Sequence, residues 1–178
     1  MAFLDSIRSL FVPAAEFGVE RAVVSAPPTA YTIKPLTERD AKEVLRLNLR
    51  CFKNGENYTR HTFAYLFNEP RSLSYKIVTD KGEMAAFAFA LISTDGTAHL
   101  TTIGVAPEHR RRGLANMLLR HLEDVLRIKG ISTIVLELRV SNFAAKTLYT
   151  EAGYSMLNRI AKYYSDGEDG YMMVKSIV

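Results

Sequence analysis

Residues 102–130, TIGVAPEHRRRGLANMLLRHLEDVLRIKG, contain the pattern that decides the fold. An apolar strand ends at Val105, a turn follows at Pro107, and three arginines precede Gly113. From Gly113 onward, apolar residues recur every three or four positions, which predicts an amphipathic helix that ends at Gly130. The segment therefore predicts a strand, a basic turn and a helix in direct succession, as in an α/β domain.

The turn between this strand and helix has the character of an anion site. The first amides of a helix have no acceptor within the helix, and the helix dipole attracts anions. Gly113 would let a phosphate approach the backbone, Ala115 keeps that approach open, and three arginines add charge and bidentate donors: Arg110, Arg111 and Arg112. A solvated basic loop is the alternative, and the arginine–glycine pattern by itself does not decide between the two.

The rest of the chain predicts the element order β-α-α-β-β-β-α-β-α-β-β, an α/β domain with a mixed sheet. Strands are predicted at about 31–36, 75–78, 84–92, 98–105, 131–139, 154–162 and 171–176, and helices begin near Thr37, Thr59, Gly113 and Asn142. We expect one domain over residues 31–178. Residues 1–30 form an N-terminal extension, a helix and then an extended connector at Pro27-Pro28, and its packing partner stays open.

Composition narrows the classes of function. The chain has 178 residues, 48% hydrophobic and 24% charged, which suits a soluble globular domain, and it lacks an apolar run of the roughly 20 residues that span a bilayer. The single cysteine, Cys51, fits a reducing cytoplasm and a structural thiol. No residues have the spacing of zinc ligands, so we expect no metal. A net charge of +4 without a long Lys/Arg run favours a phosphate-rich cofactor over nucleic acid.

Residues 110–115 match the pattern Arg/Gln-x-x-Gly-x-Gly/Ala and resemble the acetyl-CoA motif of the GNAT superfamily of N-acetyltransferases. Three further segments resemble the branch that acetylates protein N-termini: GENY at 55–58, LELRVSN at 136–142 and KYYSDGEDGY at 162–171. The resemblance implies one GNAT-type domain with four helices and a mixed, mostly antiparallel sheet of about seven strands. It also implies direct transfer from acetyl-CoA, the cosubstrate, to an N-terminal α-amino group in a ternary complex, without a metal.

The resemblance also assigns the cofactor contacts. Backbone groups at Ile103 and Val105 would hold the pantetheine, and Asn142 would both cap a helix and contact the cofactor. The full expected set is Ile103, Gly104, Val105, Arg110, Arg111, Arg112, Gly113, Leu114, Ala115, Asn116, Asn142 and Tyr149.

Three residues are candidates for the general base that the reaction needs, because a protonated amine has no lone pair. Glu137 lies on an apolar strand and matches the base of the ribosomal-protein branch; the alternative is a solvated carboxylate paired with Arg139. His99 matches a histidine that shares this role in archaeal members, although a lone strand histidine is more often structural. Glu56 matches a catalytic glutamate of the type-A subunits, and the sequence does not rank it against His99.

Tyrosines supply the remaining expected roles. Tyr149 would protonate the leaving thiolate; the alternative is a core aromatic, for which the spacing favours Leu148. The expected substrate contacts are Tyr58, Arg139, Tyr163 and Tyr164, with surface aromatics as the alternative for the tyrosines. Asn54-Gly55 stand where the family has an apolar residue and proline, which is a departure in this substrate loop.

The resemblance implies peptides or protein N-termini as substrates and the ribosome or ribosomal proteins as partners. A cytoplasmic monomer or weak homodimer is expected, with no membrane and no specific nucleic acid. Two rival functions stay open. One is a GNAT enzyme that acts on a small-molecule amine or a lysine side chain, and the other is a non-catalytic acetyl-CoA-binding module.

Overall fold

The computed structural model describes residues 23–52 and 58–178, which include one seven-stranded sheet of order β1-β2-β3-β4-β5-β7-β6. The strands are β1 (Tyr31–Pro35), β2 (Ser72–Thr79), β3 (Met84–Ile92), β4 (Thr97–Val105), β5 (Thr133–Arg139), β6 (Ser155–Ile160) and β7 (Gly170–Ser176). The helices are α1 (Ala41–Cys51), α2 (Arg60–Asn68), α3 (Leu114–Ile128) and α4 (Phe143–Glu151). The predicted element order and the mixed, mostly antiparallel sheet are confirmed, since β4 and β5 alone pair in parallel.

Side-chain caps fix where two of the helices begin. The Thr59 hydroxyl accepts a hydrogen bond from the amide of Thr62 at 3.1 Å and starts α2, while Oδ1 of Asn142 accepts from the amide of Ala145 at 3.1 Å and starts α4. Each bond satisfies a helix amide that has no acceptor within the helix. The caps therefore explain why both helices start within a residue of their predicted positions.

The centre of the sheet is buried on both faces at β3. Its alanines, Ala86, Ala88 and Ala90, belong to the cluster that contains the leucines of α3. The alternate residues Phe87 and Phe89 belong to the cluster of α1 and α2 on the opposite face. Because successive side chains of a strand point to opposite faces, this strand reads as one continuous apolar run.

The parallel ladder between β4 and β5 is short. It joins Thr97, Ala98 and His99 to residues 133–135 and then stops, although β4 continues to Val105 and β5 to Arg139. Beyond His99 each strand pairs only with its outer neighbour, β3 or β7. The sheet therefore opens between β4 and β5, and backbone groups on the facing edges are left without a ladder partner.

Residues 1–22, on which the predicted N-terminal helix falls, lie outside the described residues. Residues 23–30 contain no helix or strand and lead into β1. In the part of the chain that the structure describes, no helix has the length and apolar character needed to cross a bilayer.

Candidate active site

His99 and Glu137 meet where β4 and β5 separate. Nε2 of His99 lies 2.5 Å from Oε2 of Glu137, and the two side chains are 2% and 5% exposed. Oε1 of Glu137 is also buried and has no hydrogen-bond partner among residues 23–52 and 58–178. Two candidate bases, 38 residues apart in sequence, thus form one unit with an unused acceptor. Glu137 is not a solvated strand carboxylate.

Arg139, the alternative partner of Glu137, makes other ion pairs. Its Nη1 donates to Asp166 at 2.7 Å and to Glu168 at 2.8 Å, both in the turn between β6 and β7. Its guanidinium also lies 4.1 Å from the centroid of the Tyr164 ring. Arg139 therefore anchors the last hairpin, because acidic side chains of the turn accept from it, and its expected role in substrate binding stays a prediction. The acidic run in that turn is the sequence signal that points to these partners.

The three tyrosines expected to contact substrate are buried rather than on the surface. Tyr58 is 2% exposed, and its hydroxyl donates to the carbonyl oxygen of Thr101 on β4 at 2.7 Å. Tyr163 and Tyr164 pack edge to face with ring centroids 5.1 Å apart. The reading of these residues as surface aromatics is therefore wrong. Their rings are held in the fold, Tyr58 next to β4 and the other two next to Arg139.

Tyr149 is a core residue, contrary to the expectation that Leu148 is the better core candidate. It is 7% exposed and packs edge to face on Tyr154 with centroids 5.5 Å apart, whereas Leu148 is only partly buried. Burial raises the pKa of the Tyr149 phenol well above its ordinary value. The hydroxyl therefore stays protonated at neutral pH, as a proton donor must.

Residues 110–113, the basic loop, lead into α3 as predicted, but the three arginines of the loop have different hydrogen-bond partners. Arg110 donates to the carbonyl oxygens of Cys51 and Val105, each at 3.3 Å, and Arg112 donates to residues 25–31. Within the described residues, the side chain of Arg111 makes no such bond. The assignment of phosphate binding to all three arginines stays a prediction; Arg110 and Arg112 already donate to backbone carbonyl oxygens, whereas the side chain of Arg111 has no hydrogen bond within the described residues.

Gly113 and Gly104 require glycine for different structural reasons. Gly113 has φ +76°, and a Cβ atom there would meet nothing within 4 Å, so the start of α3 is open to a ligand. A Cβ atom at Gly104 would lie 2.6 Å from the Phe87 ring. The small size of Gly104 serves packing against β3, and its expected contact with the cofactor stays a prediction. Cys51 lies under the same strand, and burial raises the pKa of its thiol to about 11.

Other expected contacts lie around the opening and the loop. Ile103 and Val105 are on the part of β4 that has no partner in β5; Leu114, Ala115 and Asn116 form the first turn of α3. Glu56 lies outside the described residues. No cluster of three or more His, Cys, Asp or Glu side chains that could hold a metal occurs in the described ranges.

Comparison with known proteins agrees with this geometry. Residues 41–154 match the acetyltransferase (GNAT) family. The chain is 39% identical over 149 residues to the [Ribosomal protein bS18]-alanine N-acetyltransferase of Escherichia coli K12, covering 82% of this chain and 97% of that protein. It is 31% identical over 150 residues to the N-terminal acetyltransferase A complex catalytic subunit of Arabidopsis thaliana, covering 82% and 77%.

A solved structure supports the same assignment. The crystal structure of the ribosomal-protein-S18-alanine N-acetyltransferase from Escherichia coli superposes with a TM-score of 0.76 and 33% sequence identity. The match covers 83% of this chain and 94% of that one. The chain belongs to the GNAT family of acetyltransferases.

Proposed function

We propose that this acetyltransferase transfers the acetyl group of acetyl-CoA to the N-terminal α-amino group of proteins. The observation that carries the proposal is the buried His99–Glu137 pair, whose unused carboxylate oxygen lies where the sheet opens. Two relatives, a ribosomal-protein-alanine N-acetyltransferase and the catalytic subunit of an N-terminal acetyltransferase complex, point to the same substrate class. Ribosomal proteins and other nascent chains in the cytoplasm are the substrates we infer.

The residues present fit acetyl-CoA. The open N-terminus of α3 at Gly113 offers amides to a pyrophosphate, and the guanidinium of Arg111 is available beside it. The part of β4 at Ile103 and Val105, which does not pair with β5, offers backbone groups to a pantetheine amide. When bound, acetyl-CoA would supply an electrophilic thioester carbon and a thiolate leaving group.

The chain's own residues handle the protons. We assign proton removal from the α-ammonium group to Glu137, through Oε1, while His99 holds Oε2 and shares the charge. Tyr149 keeps its phenolic proton because it is buried, and we assign it protonation of the leaving sulfur. Glu56 remains a third candidate in this scheme, from the sequence alone.

We also retain Tyr58, Tyr163 and Tyr164 as the substrate-contacting aromatics. Their burial supports a rigid wall in place of a mobile clamp, because each ring is already fixed by packing or by a hydrogen bond. A rigid wall would admit an extended N-terminus and reject an internal lysine by shape.

The test uses peptides that begin with Ser, Ala, Met-Leu or Glu and carry one internal lysine. Each has a twin whose α-amino group is blocked by a formyl group. We expect acetylation, located by fragmentation mass spectrometry, on the α-amino group of free peptides and on none of the blocked ones. Acetylation of lysines in both sets, or of small amines such as spermidine alone, would overturn the proposed substrate.

A further inference from the structure

A segment that leads into β1 forms hydrogen bonds on both sides of the pair Arg110-Arg111. We call residues 25–31 the N-terminal strap. The amide of Ala26 donates to the carbonyl oxygen of Glu108 at 2.9 Å, which is on the turn before the loop. On the other side of the loop, the guanidinium of Arg112 reaches back to the strap. The strap therefore brackets residues 110 and 111.

The strap takes up all the terminal donors of Arg112. Nη1 donates to the carbonyl oxygen of Pro27 at 3.0 Å and to the hydroxyl of Tyr31 at 2.8 Å. Nη2 donates to Oγ of Ser25 at 3.2 Å and to the carbonyl oxygen of Ala26. Each Nη carries two hydrogens, so the fork that would bind a phosphate is already in use. Arg112 is thus placed to position the loop rather than to bind an anion.

Tyr31 extends the network to the turn before the loop. Its hydroxyl lies 2.9 Å from Nδ1 of His109, a residue that is 5% exposed. Arg112 can only donate, so the Tyr31 oxygen accepts from it. The same hydroxyl forms a second hydrogen bond with Nδ1 of His109. One hydroxyl therefore joins the residues on either side of the arginine pair.

The loop itself needs such support. Arg111 has φ +61° and Gly113 has φ +76°, and the left-handed region is unfavourable for a residue with a side chain. An isolated loop would populate this conformation poorly, and a ligand that selects it would bind more weakly by that fraction.

We propose that the N-terminal strap, through Tyr31 and Arg112, holds the loop in its cofactor-binding conformation and so sets the affinity for coenzyme A. The inference rests on the proposed function, because it takes the loop to be the pyrophosphate site. Tyr31 and Arg112 are positioning residues. They tune cofactor binding, and the strap leads into β1, of which Tyr31 is the first residue.

The decisive variant is Tyr31→Phe, which removes one oxygen and no charge. Its matched control is Tyr65→Phe, since Tyr65 is 49% exposed on α2 and its hydroxyl makes only a 3.4 Å contact with Glu69. Arg112→Lys, which keeps the charge but loses the fork, is the second variant. For both strap variants we expect the Kd of coenzyme A by calorimetry and the KM of acetyl-CoA to rise about tenfold. We expect kcat and the peptide KM to stay as in the wild type.

An unchanged Kd in Tyr31→Phe and Arg112→Lys, with the melting temperature near that of the wild type, would overturn the inference. A fall in kcat with no change in Kd would do the same. If the wild type binds coenzyme A but acetylates no peptide N-terminus, the proposed substrate fails, and the Kd comparison still decides the role of the strap. If the wild type does not bind coenzyme A, both proposals fail.

Discussion

Glu137→Gln removes a negative charge from a side chain that is 5% exposed and lies 2.5 Å from His99. Glutamine has nearly the same shape, so the cleft should keep its form while the base is lost. General acid–base catalysis contributes about 10²- to 10⁴-fold, or about 3 to 5 kcal/mol of transition-state stabilisation. We expect kcat to fall by about a thousandfold and the Kd of coenzyme A to stay within about twofold.

The contact between His99 and Glu137 leads to a more specific prediction about His99. If His99 and Glu137 act as one unit, His99→Gln and the double variant should each be about as slow as Glu137→Gln, since removing either member disables the unit. Independent roles would instead give a double variant whose loss is the product of the two single losses. Release of coenzyme A thiol at saturating acetyl-CoA and peptide measures kcat for all three proteins.

Glu123→Gln is the matched control. Glu123 is 5% exposed, and both of its carboxylate oxygens lie 2.7 Å from Nζ of Lys175, but it is on α3 and on neither β4 nor β5. We expect it to lose about 3 kcal/mol of unfolding free energy, because the half-buried Lys175 loses its carboxylate partner, and to keep its kcat. Equal kcat losses in Glu123→Gln and Glu137→Gln, or a multiplicative double variant, would refute the reasoning.

Three further expectations follow from burial. Tyr149→Phe should lower kcat by about a hundredfold and leave the Kd of coenzyme A unchanged. Its control is Tyr154→Phe, because the buried Tyr154 hydroxyl has no hydrogen-bond partner in the described residues. We expect this variant to keep its kcat and to have a higher melting temperature. Gly104→Ala should lower the free energy of unfolding in urea by about 3 kcal/mol, since its Cβ atom would lie 2.6 Å from a buried phenyl ring. Gly113→Ala should lower it by only about 1 kcal/mol, because the φ of +76° is the sole source of strain there. Burial raises the pKa of the Cys51 thiol to about 11, so iodoacetamide at pH 8 should alkylate the folded protein at least about tenfold more slowly than the protein in urea, and equal rates would contradict this.

Local patterns predicted the elements whose ends are marked in the sequence. The bounds of β3, Met84–Ile92, follow from an apolar run between two turns, and α3 lies between two glycines, so both matched within a residue. The start of β2 was predicted three residues late, because Ser72 and Ser74 are polar and do not look like strand residues. They are part of the strand because they pair with β3. Strand register supplies that information, and no local pattern encodes it.

The candidate site was predicted in composition but not in geometry. The sequence identified His99 and Glu137 separately, and only the β4–β5 register brings them within 2.5 Å. The partners of Arg112 lie 81 to 87 residues away in the chain, so no local pattern points to them. The spacing favoured Leu148 over Tyr149 as the core residue of α4, and the packing of Tyr149 on Tyr154 explains why Tyr149 is the more buried of the two.

The brief ladder between β4 and β5 divides the sheet into two plates, β1 to β4 on one side and β5 to β7 on the other, joined at residues 97–99 and 133–135. His99 is the last residue of that joint, and Glu137 is two positions past its other half. A small rotation of one plate against the other would therefore change the imidazole–carboxylate distance, and the core cluster that α3 shares with both plates would resist it. A ligand bound between the plates would hold them at one angle, and it would thereby fix the distance between His99 and Glu137, the proton acceptor.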